Sequence, residues 1–264
     1  MKCLVCASPS DYFSTAEVLG KYSVDYYNCS ACGYVQTEEP YWLEEAYASA
    51  ITDSDVGLVR RNRELANVTK VIIALFFDSK GRFIDYAGGY GLFVRLMRDN
   101  GFDFLWNDKY CRNIFASGFE SPEPCQEKIE LVTAFELFEH LVDPAAELNR
   151  ILSYSRNLFF STQLLPQPTP QPGTWWYYGV EHGQHVGFHT RESLACLAKR
   201  FGLNFYSNGA WLHLFTEKRI SPPLFRVCAN TIIVLMLAPF AYRKSLLMAD
   251  FSKMSGTSLD KKVG

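Results

Sequence analysis

The chain has 264 residues, of which 48% are hydrophobic and 20% charged, so it can bury a core and does not have the composition of a disordered protein. Its formal net charge of −2 excludes a general nucleic-acid binder, which needs a basic excess to hold phosphates. Eight cysteines are too few for a disulfide scaffold. The first residues carry no long apolar stretch of the kind found in a secretory signal, so we expect a cytoplasmic location. In that reducing compartment, paired cysteines are expected to bind metal.

Residues 1–40 form a predicted four-cysteine head. Two C-x2-C pairs, Cys3/Cys6 and Cys29/Cys32, can supply four thiolates in a tetrahedron, the ligand set of a closed structural zinc site. Two unrelated reduced pairs, or one redox-active pair, are the alternatives. The other cysteines lack ligand spacing and are expected to fill apolar space: Cys111, Cys125, Cys196 and Cys228.

Residues 41–218 alternate helical and strand patterns. Helices are expected over 54–77, 92–100, 110–117, 144–153 and 191–201. Strands are expected over 82–86, 103–106, 129–135, 157–161, 204–207 and 211–216, the last two joined by an Asn208-Gly209 hairpin turn. This series of βαβ units predicts a doubly wound, mostly parallel sheet, which binds ligands at the carboxyl ends of its strands.

The turn after the first of these strands reads Asp85-Tyr86-Ala87-Gly88-Gly89-Tyr90-Gly91 and is called the glycine loop below. Glycines between a strand and a helix let a ligand approach bare backbone, although a tight turn without a ligand has the same composition. The loop resembles the acid-x-Gly-x-Gly-x-Gly turn of class I S-adenosylmethionine-dependent methyltransferases. Asp85, Gly89 and Gly91 match that pattern, and Ala87 replaces its first glycine.

Asp108 follows Gly88 by 20 residues and stands at the predicted end of the next strand. A carboxylate there can accept hydrogen bonds from both hydroxyls of a ribose. The alternative is a cap for the helix expected to begin near Tyr110. The spacing favours ribose binding.

The stretch from Phe135 to Pro144 resembles the E-H-(apolar)-x-D-P segment of many of these methyltransferases. The resemblance implies that Phe135 and Glu136 line the cofactor and that Glu139-His140 lies between cofactor and substrate. Independently of the family, Asp143-Pro144 is a helix start. The expected cofactor-binding residues are Asp85, Ala87, Gly88, Gly89, Gly91, Asp108, Phe135 and Glu136.

Residues 166–190 combine prolines, aromatic side chains and histidines, which favours a substrate lid over plain surface loop. A methyl acceptor that carries a proton needs a base, and histidine suits that role at neutral pH. The catalytic candidates are His182, His185 and His140, with Glu181 as an orienting partner. Tyr177 and Tyr178 are expected to shape the pocket, and a zinc site from His182, His185 and His189 is a further alternative.

Together these motifs resemble class I methyltransferases over about residues 40–218, and the head beside them is similar to that of nucleotide-sugar C-methyltransferases. The resemblance implies an α/β fold with a mostly parallel seven-stranded sheet and a terminal antiparallel hairpin, a small zinc-binding subdomain, and S-adenosylmethionine as cofactor. The expected reaction is SN2 methyl transfer to a small molecule, either a sugar or a nucleotide-sugar. One alternative is an NAD-dependent sugar-nucleotide oxidoreductase or epimerase. Val94 counts against it, because this residue stands where the G-x-G-x-x-G dinucleotide-binding pattern has its third glycine. The other is a non-catalytic zinc-bearing interaction protein.

Residues 219–264 are expected to form a C-terminal helical extension and tail. Residues 227–242 are apolar but shorter than the roughly 20 residues of a spanning helix. They are expected to form an apolar helix that packs on the domain or on a second copy in a homodimer, with membrane-surface contact and a true span as the alternatives. Residues 252–264 are expected to be disordered.

Overall fold

The computed structural model describes residues 1–48 and 56–256. Its strands β1 to β10 are Ser10–Val18, Tyr22–Cys29, Val35–Thr37, Arg82–Tyr86, Asp103–Asn107, Ile129–Ala134, Leu158–Ser161, Gly187–Phe188, Asn204–Ser207 and Leu212–Thr216. Its helices α1 to α8 are Leu43–Ala46, Leu58–Phe76, Leu92–Asp99, Pro144–Leu152, Arg191–Arg200, Pro222–Cys228, Thr231–Leu237 and Leu247–Ser255. Two short 3-10 helices are Phe138–His140 and Trp176–Tyr178.

Most of the expected elements are confirmed, and the helix over 110–117 is wrong. The amide groups of that segment have other partners: Asp108 accepts from Tyr110 and Cys111, and the Tyr90 carbonyl accepts from residues 114 and 115. The segment therefore folds as turns. The helix expected over 54–77 corresponds to α2, which begins at Leu58. The first two positions of the expected range, Ser54 and Asp55, lie outside the described residues.

The larger sheet has the strand order β5–β4–β6–β7–β10–β9, six strands within the described residues where seven were expected. β4 pairs in parallel with both β5 and β6, and β10 pairs antiparallel with β7 and β9. The hairpin turn is confirmed at Asn208-Gly209, because the Asn208 side chain accepts from three following amides and Gly209 has a φ of +87°. The molecule is thus a mixed α/β protein with a parallel and an antiparallel part.

The chain divides into two compact units, and the first comprises Met1–Asp55 and Ala134–Val227. Here the head forms a second sheet in the order β1–β2–β3–β8. The segment expected to be a lid is largely packed, since it provides β8 and buries Tyr177 and Tyr178 in an aromatic core with Tyr26 and Trp42. Trp42 also donates its indole N–H to the Gly183 carbonyl at 2.8 Å. The two tyrosines therefore support the fold and do not form an open pocket wall.

The second unit comprises Val56–Thr133 and Cys228–Gly264. Buried Arg98 on α3 holds buried Asp250 on α8 through two hydrogen bonds of 2.9 and 2.7 Å. The predicted disorder from residue 252 is therefore wrong up to Ser255, the last residue of α8, and residues 257–264 lie outside the described part.

The apolar stretch over 227–242 is not one helix. Asn230 accepts hydrogen bonds from the amides of Ile232 and Ile233 and so begins the short helix α7 after α6 has ended. In the described part of the chain, no helix has both the length and the apolar character that crossing a membrane requires.

Candidate functional site

The glycine loop needs glycine at two positions for steric reasons. A Cβ on Gly88 would lie 2.7 Å from Asp85 Oδ2, and one on Gly91 would lie 2.5 Å from Asn113 Oδ1. Both distances are shorter than carbon–oxygen contacts allow. The loop is therefore folded tightly against the carboxyl ends of β4 and β5.

Gly89 differs from the other two glycines because it faces open space, with no heavy atom within 4 Å of its Cβ position and a φ of +53°. Its N–H donates to Asp108 Oδ2 at 2.9 Å, and its carbonyl accepts from the Trp106 indole at 2.8 Å. The backbone is thus fixed while one side of it stays accessible. This is the part of the loop against which a ligand can lie.

Asp108 is already engaged with its own chain. Besides the Gly89 amide, it accepts from Tyr110 at 2.7 Å and Cys111 at 2.8 Å, both at Oδ1. A carboxylate offers about four acceptor positions, so three are used and one remains. Asp108 can therefore hold one ribose hydroxyl at no cost to the loop, and the second hydrogen bond expected from the sequence would displace an amide.

Asp85 is buried at the end of β4 and accepts a 2.7 Å hydrogen bond from the Thr133 hydroxyl. Burial, with the negative charge of Asp108, raises the pKa of Asp85 to about 7, and the hydrogen bond from Thr133 opposes this shift. Asp85 therefore supports the loop from beneath. The next residue but one, Ala87, has a left-handed φ of +56°.

Phe135 and Glu136 follow β6 in the first unit. Phe135 is half-buried with its ring edge-on to Phe159, and Glu136 has a φ of +52°. The Glu136 amide donates to Ser161 Oγ at 2.8 Å, and the Ser161 hydroxyl donates back to Glu136 Oε1 at 2.5 Å. This reciprocal pair fixes a backbone conformation that glutamate rarely adopts.

Glu139, His140 and His185, called the Glu-His-His cluster below, bring one oxygen and two nitrogens within 4.8 Å of one another. The 3-10 helix Phe138–His140 positions the first two, and the turn before β8 positions the third. Burial, together with the charge of Glu136, raises the pKa of the Glu139 carboxyl to about 8. The sequence had pointed to both histidines but not to Glu139 as their partner.

Both histidines of the cluster are tied at Nδ1. His185 Nδ1 lies 2.6 Å from the Tyr177 carbonyl; a carbonyl only accepts, so this Nδ1 carries the hydrogen and the neutral ring keeps its lone pair at Nε2. His140 Nδ1 lies 2.9 Å from the Tyr47 hydroxyl and 3.2 Å from the Gln184 carbonyl. The hydrogen of the His140 ring is on Nδ1 when the carbonyl accepts it and on Nε2 when the tyrosine hydroxyl donates. Burial lowers the pKa of His140 to about 4 and that of His185 well below its ordinary value, so both rings are neutral at pH 7.

His182 and its expected partner Glu181 are arranged differently. His182 Nδ1 accepts the Gln184 amide at 3.1 Å, so the proton of the neutral ring is on Nε2. Glu181 is exposed and raises the pKa of His182 only through its charge, against the larger opposing effect of burial. Of the three candidate bases, His182 therefore has the least suitable tautomer.

The histidine-only zinc site suggested by the sequence is not formed. His189 is fully buried against Tyr34, with a ring-centroid distance of 4.7 Å, and it belongs to neither of the groups in the described residues that could hold a metal. The other such group is the set of four head cysteines, whose Sγ atoms also lie within 4.8 Å of one another. Cys3 and Cys32 are 3.7 Å apart, and Cys6 and Cys29 are 3.4 Å apart.

Open α/β sheets with parallel strands bind ligands at the carboxyl ends of those strands, and the glycine loop lies at such an end. Residues 59–208, more than half of the chain, match the family model described as "Methyltransferase domain", and the chain belongs to that family. No curated protein matches the chain.

Three solved structures are similar to the chain. TnmH is 16% identical, with a TM-score of 0.46, over 68% of this chain and 62% of that one. The methyltransferase CalO1 of calicheamicin biosynthesis, in its SAH-bound form, is 14% identical with a TM-score of 0.41, over 66% and 61%. Human N-acetylserotonin methyltransferase in complex with SAM is 13% identical with a TM-score of 0.40, over 67% and 66%. The chain spans about three-fifths of the length of the first two.

Proposed function

We propose that the chain transfers a methyl group from S-adenosylmethionine to a small-molecule acceptor. Membership of the methyltransferase family supports the reaction, and the glycine loop supports the cofactor. The observation that carries the proposal is Gly89, which leaves open backbone beside a carboxylate with one acceptor position still available. The residues present therefore fit an adenosyl ligand.

The cofactor supplies a methyl group on a sulfonium, which is a good leaving group. The chain's own task is then to bind and orient. Gly89 admits the ligand to the backbone, Asp108 accepts one ribose hydroxyl, and Asp85 with Gly88 holds the loop in place. Phe135 and Glu136 stay our predicted contacts to the cofactor.

On the acceptor side, a hydroxyl or an acidic carbon must lose a proton for methyl transfer. His185 supports this role best, because its Nδ1–H is taken up by the Tyr177 carbonyl and its lone pair is at Nε2, whereas His182 carries a hydrogen at Nε2. We infer that proton removal takes place at the Glu-His-His cluster. Our proposed acceptor remains a sugar or a nucleotide-sugar, on the resemblance of the head.

The test is calorimetric titration of the purified chain with S-adenosylmethionine, S-adenosylhomocysteine and NAD. We expect micromolar binding of both adenosyl sulfur compounds and none of NAD. Binding of NAD instead would favour the oxidoreductase alternative. Silence with all three, in a sample that circular dichroism shows to be folded, would favour the non-catalytic alternative.

We also propose that the four head cysteines bind a structural zinc ion. Their paired Sγ distances of 3.7 and 3.4 Å far exceed a disulfide bond of about 2.05 Å. They are close to the edge of about 3.8 Å in a tetrahedron with zinc–sulfur bonds of about 2.3 Å. The site therefore fits zinc without a change in the backbone.

Replacement of one ligand tests this zinc site. Cys29→Ser is expected to lower the zinc content of the chain by one equivalent and to destabilise the head by several kcal/mol, because structural zinc contributes directly to folding. Elemental analysis and thermal unfolding measure the two effects. Cys125→Ser, outside the group, is the matched control and should change neither. Equal zinc content in both variants would contradict the four-thiolate site.

A further inference from the structure

We propose that the Glu-His-His cluster binds a second metal ion, a divalent transition-metal ion held by one carboxylate oxygen of Glu139 and by Nε2 of His140 and His185. One candidate ligand atom from each of the three side chains, a ring nitrogen in the case of the histidines, lies within 4.8 Å of the other two, although His140 and His185 are 45 positions apart in the sequence. Ions of this class bind such atoms at about 2.0–2.2 Å, so opposite ligand atoms stand up to about 4.4 Å apart. The convergence therefore fits one ion after a small inward adjustment of the side chains.

Glu139 is the member of the cluster that most needs a partner. Its side chain is fully buried, and neither carboxylate oxygen has a partner in hydrogen-bond geometry, although the Tyr177 and Thr162 side chains are near enough to lower its pKa against the larger effect of burial. In the described part of the chain, no lysine or arginine forms an ion pair with it. A buried polar group without a hydrogen-bond partner in a native structure calls for an explanation. A cation at the two free oxygens provides one.

The second argument is the orientation of the two imidazoles. Metal-binding histidines commonly donate their other ring N–H to a backbone carbonyl, which fixes the tautomer and turns the lone pair toward the ion. The Tyr177 carbonyl does this for His185. At His140 the Gln184 carbonyl lies 3.2 Å from Nδ1 and the Tyr47 hydroxyl lies 2.9 Å from it, and both can accept the N–H of the tautomer that binds a metal through Nε2. Acceptors for the supporting hydrogen bonds of a metal site are therefore present at both ligands. His182, with the opposite tautomer, is excluded as a third nitrogen ligand in this conformation.

The third argument is the ligand set. Two imidazoles and one carboxylate suit zinc, iron or a similar ion, whereas calcium and magnesium prefer oxygen alone. Three protein ligands leave at least one position for water or substrate, in contrast with the four thiolates of the head.

On the proposed function, an ion at the Glu-His-His cluster also changes how the acceptor loses its proton. A nitrogen lone pair that binds an ion cannot also take a proton, so neither histidine is the base when the ion is present. An acceptor hydroxyl that occupies the open position would form a metal–oxygen bond and release its proton to water, since a bound cation lowers the pKa of such an oxygen.

The binding itself is tested without any methyl transfer. The full chain is dialysed against a chelator that leaves the thiolate zinc in place, as counted by elemental analysis, and is then titrated calorimetrically with zinc chloride and with magnesium chloride. We expect one further zinc equivalent per chain with micromolar or tighter affinity, and no binding of magnesium. Glu139→Gln, which keeps the volume of the side chain, and His185→Ala should each weaken this second affinity at least 100-fold.

Glu192→Gln, at an exposed carboxylate outside the cluster, is the matched control and should keep the wild-type affinity. Thermal unfolding of each variant shows that it is folded before the titration. A single zinc equivalent per chain, or equal second-site affinity in Glu139→Gln and the wild type, would overturn the inference. Zinc binding without S-adenosylmethionine binding would leave the metal site standing and remove only the proposed function.

Discussion

The glycine loop and the segment from Phe135 to His140 follow two strands and begin in the same way. Each has a non-glycine residue in the left-handed region soon after its strand, Ala87 at a φ of +56° and Glu136 at +52°. Each also places a buried carboxylate near by, Asp85 in one and Glu139 in the other. Left-handed backbone in such residues is costly and tends to be kept at functional sites.

The two regions differ in what they do with the buried acid. Asp85 has the Thr133 hydroxyl as donor, and the glycines beyond it leave backbone accessible. Glu139 has no donor in hydrogen-bond geometry, only the Tyr177 and Thr162 side chains near by, and it lies beside the imidazoles of His140 and His185. The first region is suited to ligand binding through the backbone, and the second is suited to chemistry through side chains. The predictions below test this division.

The largest expected effect is on turnover. His185→Ala removes a nitrogen lone pair from the Glu-His-His cluster and should lower turnover by about 10³-fold, the order expected for a group that assists proton removal. Affinity for S-adenosylhomocysteine should stay at the wild-type value, because the glycine loop is untouched. Steady-state kinetics and calorimetry measure the two quantities. His182→Ala, at the ring with the unsuitable tautomer, should lower turnover less than His185→Ala. A larger loss of turnover in His182→Ala would contradict the assignment of the chemistry to the Glu-His-His cluster.

Local sequence signals predicted the second region only in part. The helix start at Asp143-Pro144 is confirmed, with Asp143 accepting from two amides, because capping depends on neighbouring residues alone. Glu139 was missed as a partner of His185 because the two are distant in sequence and are brought together by tertiary contacts, among them the Val186 amide that donates to the Glu139 carbonyl at 2.8 Å. The head sheet itself was not predicted, for the same reason. The helix expected over 110–117 failed because side-chain and carbonyl acceptors outside the segment take its amides.

The next effect is a pH dependence of stability. The pKa of Asp85 is raised from 3.8 to about 7 in the folded chain, so the folded state binds the proton more tightly than the unfolded state. The stability due to this proton is fully present below about pH 4 and is lost as the pH rises to about 7, with a total of at most about 4 kcal/mol. Asp85→Asn removes the charge and keeps an acceptor for Thr133.

The variant should therefore match the wild type near pH 3.5 and be more stable at pH 8.5, measured by urea unfolding at both values. Asp11→Asn, at an exposed position on β1, is the control and should show no such gain. A gain of equal size at both pH values would mean that the effect of Asp85 on stability is not electrostatic.

A smaller effect is expected where the backbone meets the ligand. Gly89 and Gly20 share a left-handed φ, +53° and +67°, and both have open space at the Cβ position. Valine at either position should cost a similar backbone strain, about 1–2 kcal/mol. Only Gly89→Val should also weaken S-adenosylhomocysteine binding, by about 100-fold or ~2.7 kcal/mol, because its side chain fills the space proposed for the ligand. Equal affinities by calorimetry would remove the glycine loop as the binding element.

The smallest effect separates the two left-handed residues themselves. Ala87→Gly relieves about 1–2 kcal/mol of backbone strain in the folded state. It also costs about 0.4–1 kcal/mol, because glycine raises the conformational entropy of the unfolded chain. The expected difference is a net gain in stability of about 0.5–1 kcal/mol. Glu136→Gly relieves the same strain but also loses the side-chain bond to Ser161, which contributes about 1.5–3 kcal/mol when one partner is charged. That variant should be about 1 kcal/mol less stable. If urea unfolding gave a change in stability of the same sign for both variants, the pair with Ser161 would not hold Glu136 in its strained conformation. The two regions would then differ only in the surroundings of their buried carboxyl groups, Asp85 and Glu139.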